Sequence, residues 1–344
     1  MPSAKRLGGF KILWDGVHFS LFHRNPQSSK YLLNLCTAFA KNKLNLPFFT
    51  CGFDREGQYI SLIVEGKNAK KAEKILDSFA AKQSEIYLRA DKSAILSIFP
   101  HQSKPEIAGS LLEAFLKNQI MPSAIANSNA AISAVIKEEL APRATKALFG
   151  PFCFSAYRTP EDWKLSREGK EKIYRDVIAS YQEKRPKVYS LDWYLDLELF
   201  QARSTPNELE SLSKLLASMA ESGLNLRFIV STPSAEDQGQ NFFLAFPRSG
   251  KYGFKGPMAE LISKQTQNDI HSVAAFSMNG PHFGDRYGIA ALLLECFHDK
   301  GLRPIALGCT VASIMGLMAT AHVKAATTAI KSSFDVPTVT EKRS

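Results

Sequence analysis

The sequence is poor in the residues that staple small secreted proteins together. Its five cysteines (Cys36, Cys51, Cys153, Cys296 and Cys309) are odd in number, far apart and never in a C-x-x-C pair. Neither a disulfide framework nor a zinc site is signalled, and reduced thiols in a cytoplasmic setting are expected. The seven histidines show no H-x-x-x-H spacing, so no metal site is expected. There is no glycine-rich phosphate loop and no G-x-S-x-G turn for a nucleophile, so no cofactor and no catalytic residue is expected. No apolar run follows the opening "MPSAKRLGGF", which argues against a secretory signal. The one membrane-like stretch, "IALGCTVASIMGLMATA" from Ile305 to Ala321, is shorter than the roughly 20 apolar residues of a span.

Acidic residues are also in deficit, but only locally. The net charge of +10 divides as 20 basic against 12 acidic residues in 1–150, 8 against 6 in 151–186, and 15 against 15 in 187–344. Such an excess can serve an anionic partner. No aromatic-basic signature accompanies it, however, and "KNAKKAEKIL" sets its lysines opposite the stripe Ala72, Ile75, Leu76 and Phe79. A solvated helix face is the expectation, with no nucleic-acid partner and no membrane.

What is present in quantity is repetition. "LNLPFF" at 44–49 returns as "LNLRFI" at 224–229, and "LLEAFLKNQIMPSAI" at 111–125 returns as "LLECFHDKGLRPIAL" at 293–307. Two halves with one plan are implied, and the offset is 180 to 182 residues. Within the first half, alternating "GVHFSLF" reads as a strand and "SSKYLLNLCTAFAKN" as an amphipathic helix. "LPFFTCGF", "QYISLIVE", a helix capped by Asn68, and "EIYLR" follow, in the order β-α-β-β-α-β. The order restarts with "SAILSIF", "KPEIAGSLLEAFLKN", "MPSAIANS", "AAISAVI", "EELAPRATKAL" and "PFCFS".

The second half repeats the plan, with a helix near "PMAELISKQ" and a hairpin turn at Gly308 that splits the membrane-like stretch into two strands. Expected units are 8–89, 90–155, 187–269 and 270–337. Between them, 156–186 reads as a connector helix capped by Thr159, with Pro160 in its first turn and an apolar side that includes Trp163. The fold class is α+β, with four ferredoxin-like βαββαβ units in two tandem pairs.

This pattern resembles the ACT-domain family, in particular the tandem ACT regulatory region of aspartate kinases. The likeness rests on "AILSI", on "PEIA" and "LLEAF", and on "IANSNAAISAVI", which is similar to the family's "ISTSEIKIS" stretch. It rests also on "GIAA" at 288–291, similar to the family's Pro-Gly-Val-Ala-Ala opening of a helix. No Lys-Phe-Gly-Gly nucleotide motif is present, and the expectation is a chain without the kinase domain and without enzymatic activity.

The resemblance implies binding of an amino-acid effector at an interface between paired units. The physical ground is the free amides and positive dipole end at a helix N-terminus, which favour a carboxylate. In the fourth unit Gly288 allows close backbone approach, Ile289 and Ala290 supply amides, and Asp285 is placed to take the ligand's ammonium. His282 lies in the same loop, and Thr310 faces it from the following hairpin. The second unit offers His101, Ser103, Ser128 and Asn129, weakened by Glu106 in the place of Gly288. A regulatory protein binding a small effector is the leading expectation, with self-association or a partner enzyme. Two other readings stay open, a ligand-free scaffold docking on a biosynthetic enzyme and an anion or nucleic-acid binder.

Overall fold

The computed structural model describes residues 4–24, 29–54, 56–81, 86–167, 185–205, 208–234, 239–248, 272–281, 283, 286–310 and 313–343. The fold is mixed α+β around one large sheet. In the first half the strands are β1 (Lys5–Leu7), β2 (Gly9–His23), β3 (Phe48–Phe53), β4 (Gln58–Glu65), β5 (Ile86–Phe99), β6 (Ala124–Asn127), β7 (Ile132–Lys137) and β8 (Phe152–Phe154). The second half adds β9 (Ser190–Ser204), β10 (Phe228–Pro233), β11 (Gln240–Pro247), β12 (Val273–Asn279), β13 (Ala306–Thr310), β14 (Ser313–Ala319) and β15 (Val339–Arg343). The described helices are α1 (Ser29–Lys41), α2 (Ala69–Ala80), α3 (Pro105–Lys117), α4 (Ala141–Leu148), α5 (Pro160–Arg167), α6 (Leu209–Glu221), α7 (Ile289–His298) and α8 (Val323–Ser333). The helix expected near 257–265 and most of the connector fall outside the described residues.

The repeat is visible element by element. Strands β2 and β9 are offset by 181 residues, β3 and β10 by 180, and β7 and β14 begin 181 apart. Even the small pairing of β1 with β8, at Arg6↔Cys153, returns as the bridge Lys187↔Asp335. The hexapeptides of the opening repeat start in the helix-to-strand loops and end in β3 and β10. Only their last two residues are strand.

Thirteen strands form one sheet in the order β11-β10-β6-β7-β5-β2-β4-β3-β13-β14-β12-β9-β15, and a further pairing of β11 with β9 closes it. Long strands do the joining. Residues Gly16–His23 of β2 pair with β4, while Gly9–Leu13 pair with Ile95–Phe99 of β5. The place expected for "PFCFS" as the last strand of its unit is therefore filled by the start of β2, and Phe152–Phe154 pair with β1 instead. In the same way β5 runs unbroken from Ile86 to Phe99, where two separate strands were expected.

Apolar side chains sort into three clusters. One lies between the sheet and α3, α4 and α6, a second between the sheet and α1, α2, α7 and α8, and a third holds sheet residues such as Phe48, Val230, Phe243 and Met315. The sheet thus has helices on its outer side and packs against itself on the inner side, an economical way to bury both faces. Gly308, expected at a turn, is mid-strand and pairs with Met315. A Cβ there would lie 2.9 Å from Val230 and 3.2 Å from Ala126, so glycine lets the two sides of the closed sheet meet. The strand pair itself stands as expected, and no helix among the described residues is long and apolar enough to cross a membrane.

Local signals act as their chemistry predicts, with one exception. The Thr159 hydroxyl accepts from Asp162 N–H at 3.2 Å and Asp162 accepts from Thr159 N–H at 3.0 Å, a reciprocal cap that starts α5. The connector then docks through Trp163, stacked on Phe10 at 4.9 Å. Asn68 makes no side-chain cap, because a short 3-10 turn at Gly66–Asn68 leads directly into α2.

Candidate functional site

Two seams join the halves, and each places a helix of one half beside a helix of the other. On one side β3 pairs with β13, Phe49↔Cys309 through Gly52↔Ala306, with α1 and α7 above them. On the other, β6 meets β10 at Ala126↔Val230 with α3 and α6 above. The seams are related by the repeat, yet among the described residues they differ, and the first is open.

At the α3–α6 seam the protein fills its own space. Gly109 brings the helices together, since a Cβ there would meet Ser213 O at 3.1 Å, and Ser213 Oγ donates to Gly109 O at 3.0 Å. Asn127 replaces missing ladder bonds, accepting from Ile229 N–H at 2.8 Å and donating to Arg227 O at 3.2 Å. Ser231 Oγ accepts from Ile125 N–H at 2.8 Å and donates to Gln240 at 2.6 Å. The loop opening α3 is tied down as well, with Leu226 N–H donating to Ser103 O at 2.9 Å.

The second-unit residues singled out in the sequence lie at this seam and serve the fold. His101 is buried, and Ser103 N–H donates to its Nδ1 at 3.1 Å, so Nε2 carries the proton and donates to Ser128 O at 2.6 Å. Burial holds its pKa below the usual histidine value, against the Ser128 bond. Ser128 Oγ accepts from Ala131 N–H at 2.9 Å, an ordinary turn role, and Asn129 Oδ1 accepts from Tyr194 OH at 3.1 Å.

At the α1–α7 seam a cleft opens to solvent, and it gathers Gly288, Ile289, Ala290 and Thr310 from the second half with Cys36, Ala40, Asn45 and Leu46 from the first. His282 and Asp285 are outside the described residues. Gly288 has φ +87° and precedes α7, so its backbone is one that glycine adopts without strain. A Cβ on Gly288 would lie 3.4 Å from Ala40, which places the glycine against α1. Where the closed seam has Gly109 against Ser213, the repeat-matched positions here hold Ala291 and Leu33, two bulkier residues.

Three buried thiols line the cleft floor or lie just under it. Burial pushes Cys36 up to about 12, and raises Cys309 and Cys51, each also raised by its cysteine neighbours. All three are protonated at neutral pH and behave as soft apolar wall. Sequence reasoning missed α1 and the loop 44–46 as half of this cleft; the twice-written "LNL" was the available signal, since Leu44, Asn45 and Leu46 line the opening.

No protein-family model and no curated protein matches the chain. Among solved structures, the aspartate kinase from Synechocystis is similar over 96% of this chain and 56% of its own length, at 16% identity and a TM-score of 0.75. The fold is like that of an aspartate kinase. The chain spans little more than half the length of that enzyme. The ligand-free regulatory subunit of aspartate kinase from Thermus thermophilus matches 43% of this chain and 99% of its own, at 23% identity and a TM-score of 0.39. The expectation of a chain that is not an enzyme and lacks a kinase part does not stand, because the structure that matches 96% of it is that of an enzyme.

Proposed function

We propose that this chain has a regulatory role of ACT type and binds an amino acid or similar small effector in the cleft between α1 and α7. In this reading four ACT-like units, 8–89, 90–155, 187–269 and 270–337, form two tandem pairs joined by 156–186, in a cytoplasmic protein. The observation that carries it is the meeting of Gly288, Ile289 and Ala290 with Thr310 and Asn45 around one opening between the halves. The first amides of α7 and its positive dipole end suit a carboxylate. The ammonium falls to Asp285, three residues ahead of Gly288. Because the lining comes from both halves, a bound effector ties them together.

The test is a thermal-shift screen of the twenty amino acids on the full chain, since a ligand selective for the native state raises its melting temperature. A selective rise is expected, and the absence of any shift at millimolar concentration overturns the reading. A second role is favoured for the α3–α6 seam alone, where the protein's own hydrogen bonds occupy the corresponding place. That pair acts as a ligand-free scaffold, holding a second copy or a partner enzyme. Sedimentation of the purified chain as a monomer that captures no biosynthetic enzyme would count against it.

A further inference from the structure

The walls of the α1–α7 cleft also bear on the side chain of its ligand. Its inner surface is made by Cys36, Phe39, Phe49, Cys309 and Ile314, all buried. Among the described residues that line it, the charged group is Arg286, a cation, and none is a carboxylate. We infer that the effector is a small amino acid whose side chain is uncharged and apolar, aliphatic or thioether, and which points inward onto the cysteine and phenyl wall. The inference rests on the effector reading of this cleft.

Three physical terms lead there. A basic side chain entering the cleft leaves water for a wall of thiols and rings that offers no anion, and desolvating an unpaired ammonium is prohibitive. An acidic side chain pointing inward leaves water for the same wall, where Cys36, Phe39, Phe49, Cys309 and Ile314 offer no cation. A branched hydrocarbon or a thioether, by contrast, gains burial and sulfur–aromatic contact there. The repeat supplies a comparison. The residue matching Cys309 at the closed seam is Asn127, whose amide donates to Arg227 O and accepts from Ile229 N–H. A polar group at this position reaches across to the opposing loop, whereas Cys309 leaves the wall smooth.

The experiment is calorimetry on the full chain at neutral pH with leucine, methionine, lysine and aspartate, repeated on Cys309→Asn, with a melting curve to show that the variant folds. Leucine or methionine is expected to bind at least about tenfold more tightly than lysine or aspartate, and Cys309→Asn to weaken that binding about tenfold or more. Lysine or aspartate binding as tightly as the apolar pair overturns the side-chain assignment while leaving the effector cleft in place. A folded Cys309→Asn protein with unchanged affinity overturns it too. Failure of all four to bind, together with a flat screen of the twenty, overturns both this inference and the reading beneath it.

Discussion

Asp15 and Asp196 occupy the same point of β2 and β9, both exposed and both in the left-handed region, at φ 58° and 57°. Each sits in a bulge. Trp14 and Asp15 together face the single residue Ala94, between the pairs Leu13↔Ile95 and Gly16↔Ser93, and the residues before Leu197 do the same opposite β12. A bulge of this kind turns the strand and shifts its alternation by one. Phe10 and Ile12 ahead of it face the first helical cluster, while Phe19 and Leu21 beyond it face the second. Two aspartates thus mark where one strand leaves one side of the closed sheet for the other.

The consequence is testable at either aspartate. Asp196→Val puts a β-branched residue at positive φ and is expected to destabilise by about 2 kcal/mol, while Asp196→Gly stays within about 1 kcal/mol of the parent. Denaturant unfolding compares them, and equal midpoints for the two variants would show that the bulge geometry is not under this constraint.

The turns after four helices give a second prediction. Lys43 and Gln119 have φ 55° and 53°, and their repeat partners Gly223 and Gly301 have φ 70° and 65°. Nothing lies within 4 Å of a Cβ built on either glycine, so the difference between the halves is conformational rather than steric crowding. Lys43→Gly and Gln119→Gly are each expected to raise stability by up to about 1 kcal/mol, and Gly223→Ala to lower it by a similar amount. Chemical denaturation reads all three, and a stabilised Gly223→Ala would refute the argument.

Much of this architecture was legible because periodicity and repetition reinforce each other. Helix α6 and strands β11 and β12 are apolar at the spacing their burial requires, and the offset carried the assignment from one half to the other. What could not be read was partnership. "PFCFS" has the pattern of a strand, but nothing in its five residues says that its place in the sheet is already occupied by Gly9–Leu13. Gly308 looked like a turn because glycine serves both turns and close approaches, and only the opposing Val230 and Ala126 decide between them. The cleft suffered the same limit. Gly288 was legible as a backbone feature, but Cys36 and Ala40 stand some 250 residues away in sequence and reach it through the β3–β13 seam.

The histidine on the inner side of β2 predicts a pH dependence. His18 is buried beside Ser61 Oγ at 2.7 Å, and burial, with a smaller effect from the Arg89 charge, lowers its pKa from 6.5 to about 4. Well above pH 6.5 the ring is neutral in both folded and unfolded chains and contributes no slope. Below it the unfolded chain takes up a proton that the folded one refuses, so stability falls until about pH 4, by roughly 3 kcal/mol in all. His18→Gln keeps a polar partner for Ser61 and should flatten that part of the acid limb. An acid limb unchanged between pH 6.5 and 4 in the variant would assign the loss to other groups.

The decisive substitution for the cleft is Gly288→Glu, which writes into the open seam the residue that Glu106 already supplies at the closed one. Two effects act together. A carboxylate at the mouth repels the carboxylate of an amino acid drawn to the amides of Ile289 and Ala290, and a side chain at Gly288 projects towards Ala40, where a Cβ already lies at 3.4 Å. The φ of +87° adds about 1–2 kcal/mol of backbone strain, small against a folded domain but enough to lower its melting point slightly. Effector binding is therefore expected to disappear from calorimetry while the circular dichroism spectrum and cooperative unfolding persist. Gly288→Ala separates the two effects, because it carries the strain without the charge. It should weaken binding only modestly, whereas equal loss in both variants would mean that the backbone conformation, not the charge, controls the site. Full affinity in a folded Gly288→Glu protein would show that the effector binds elsewhere.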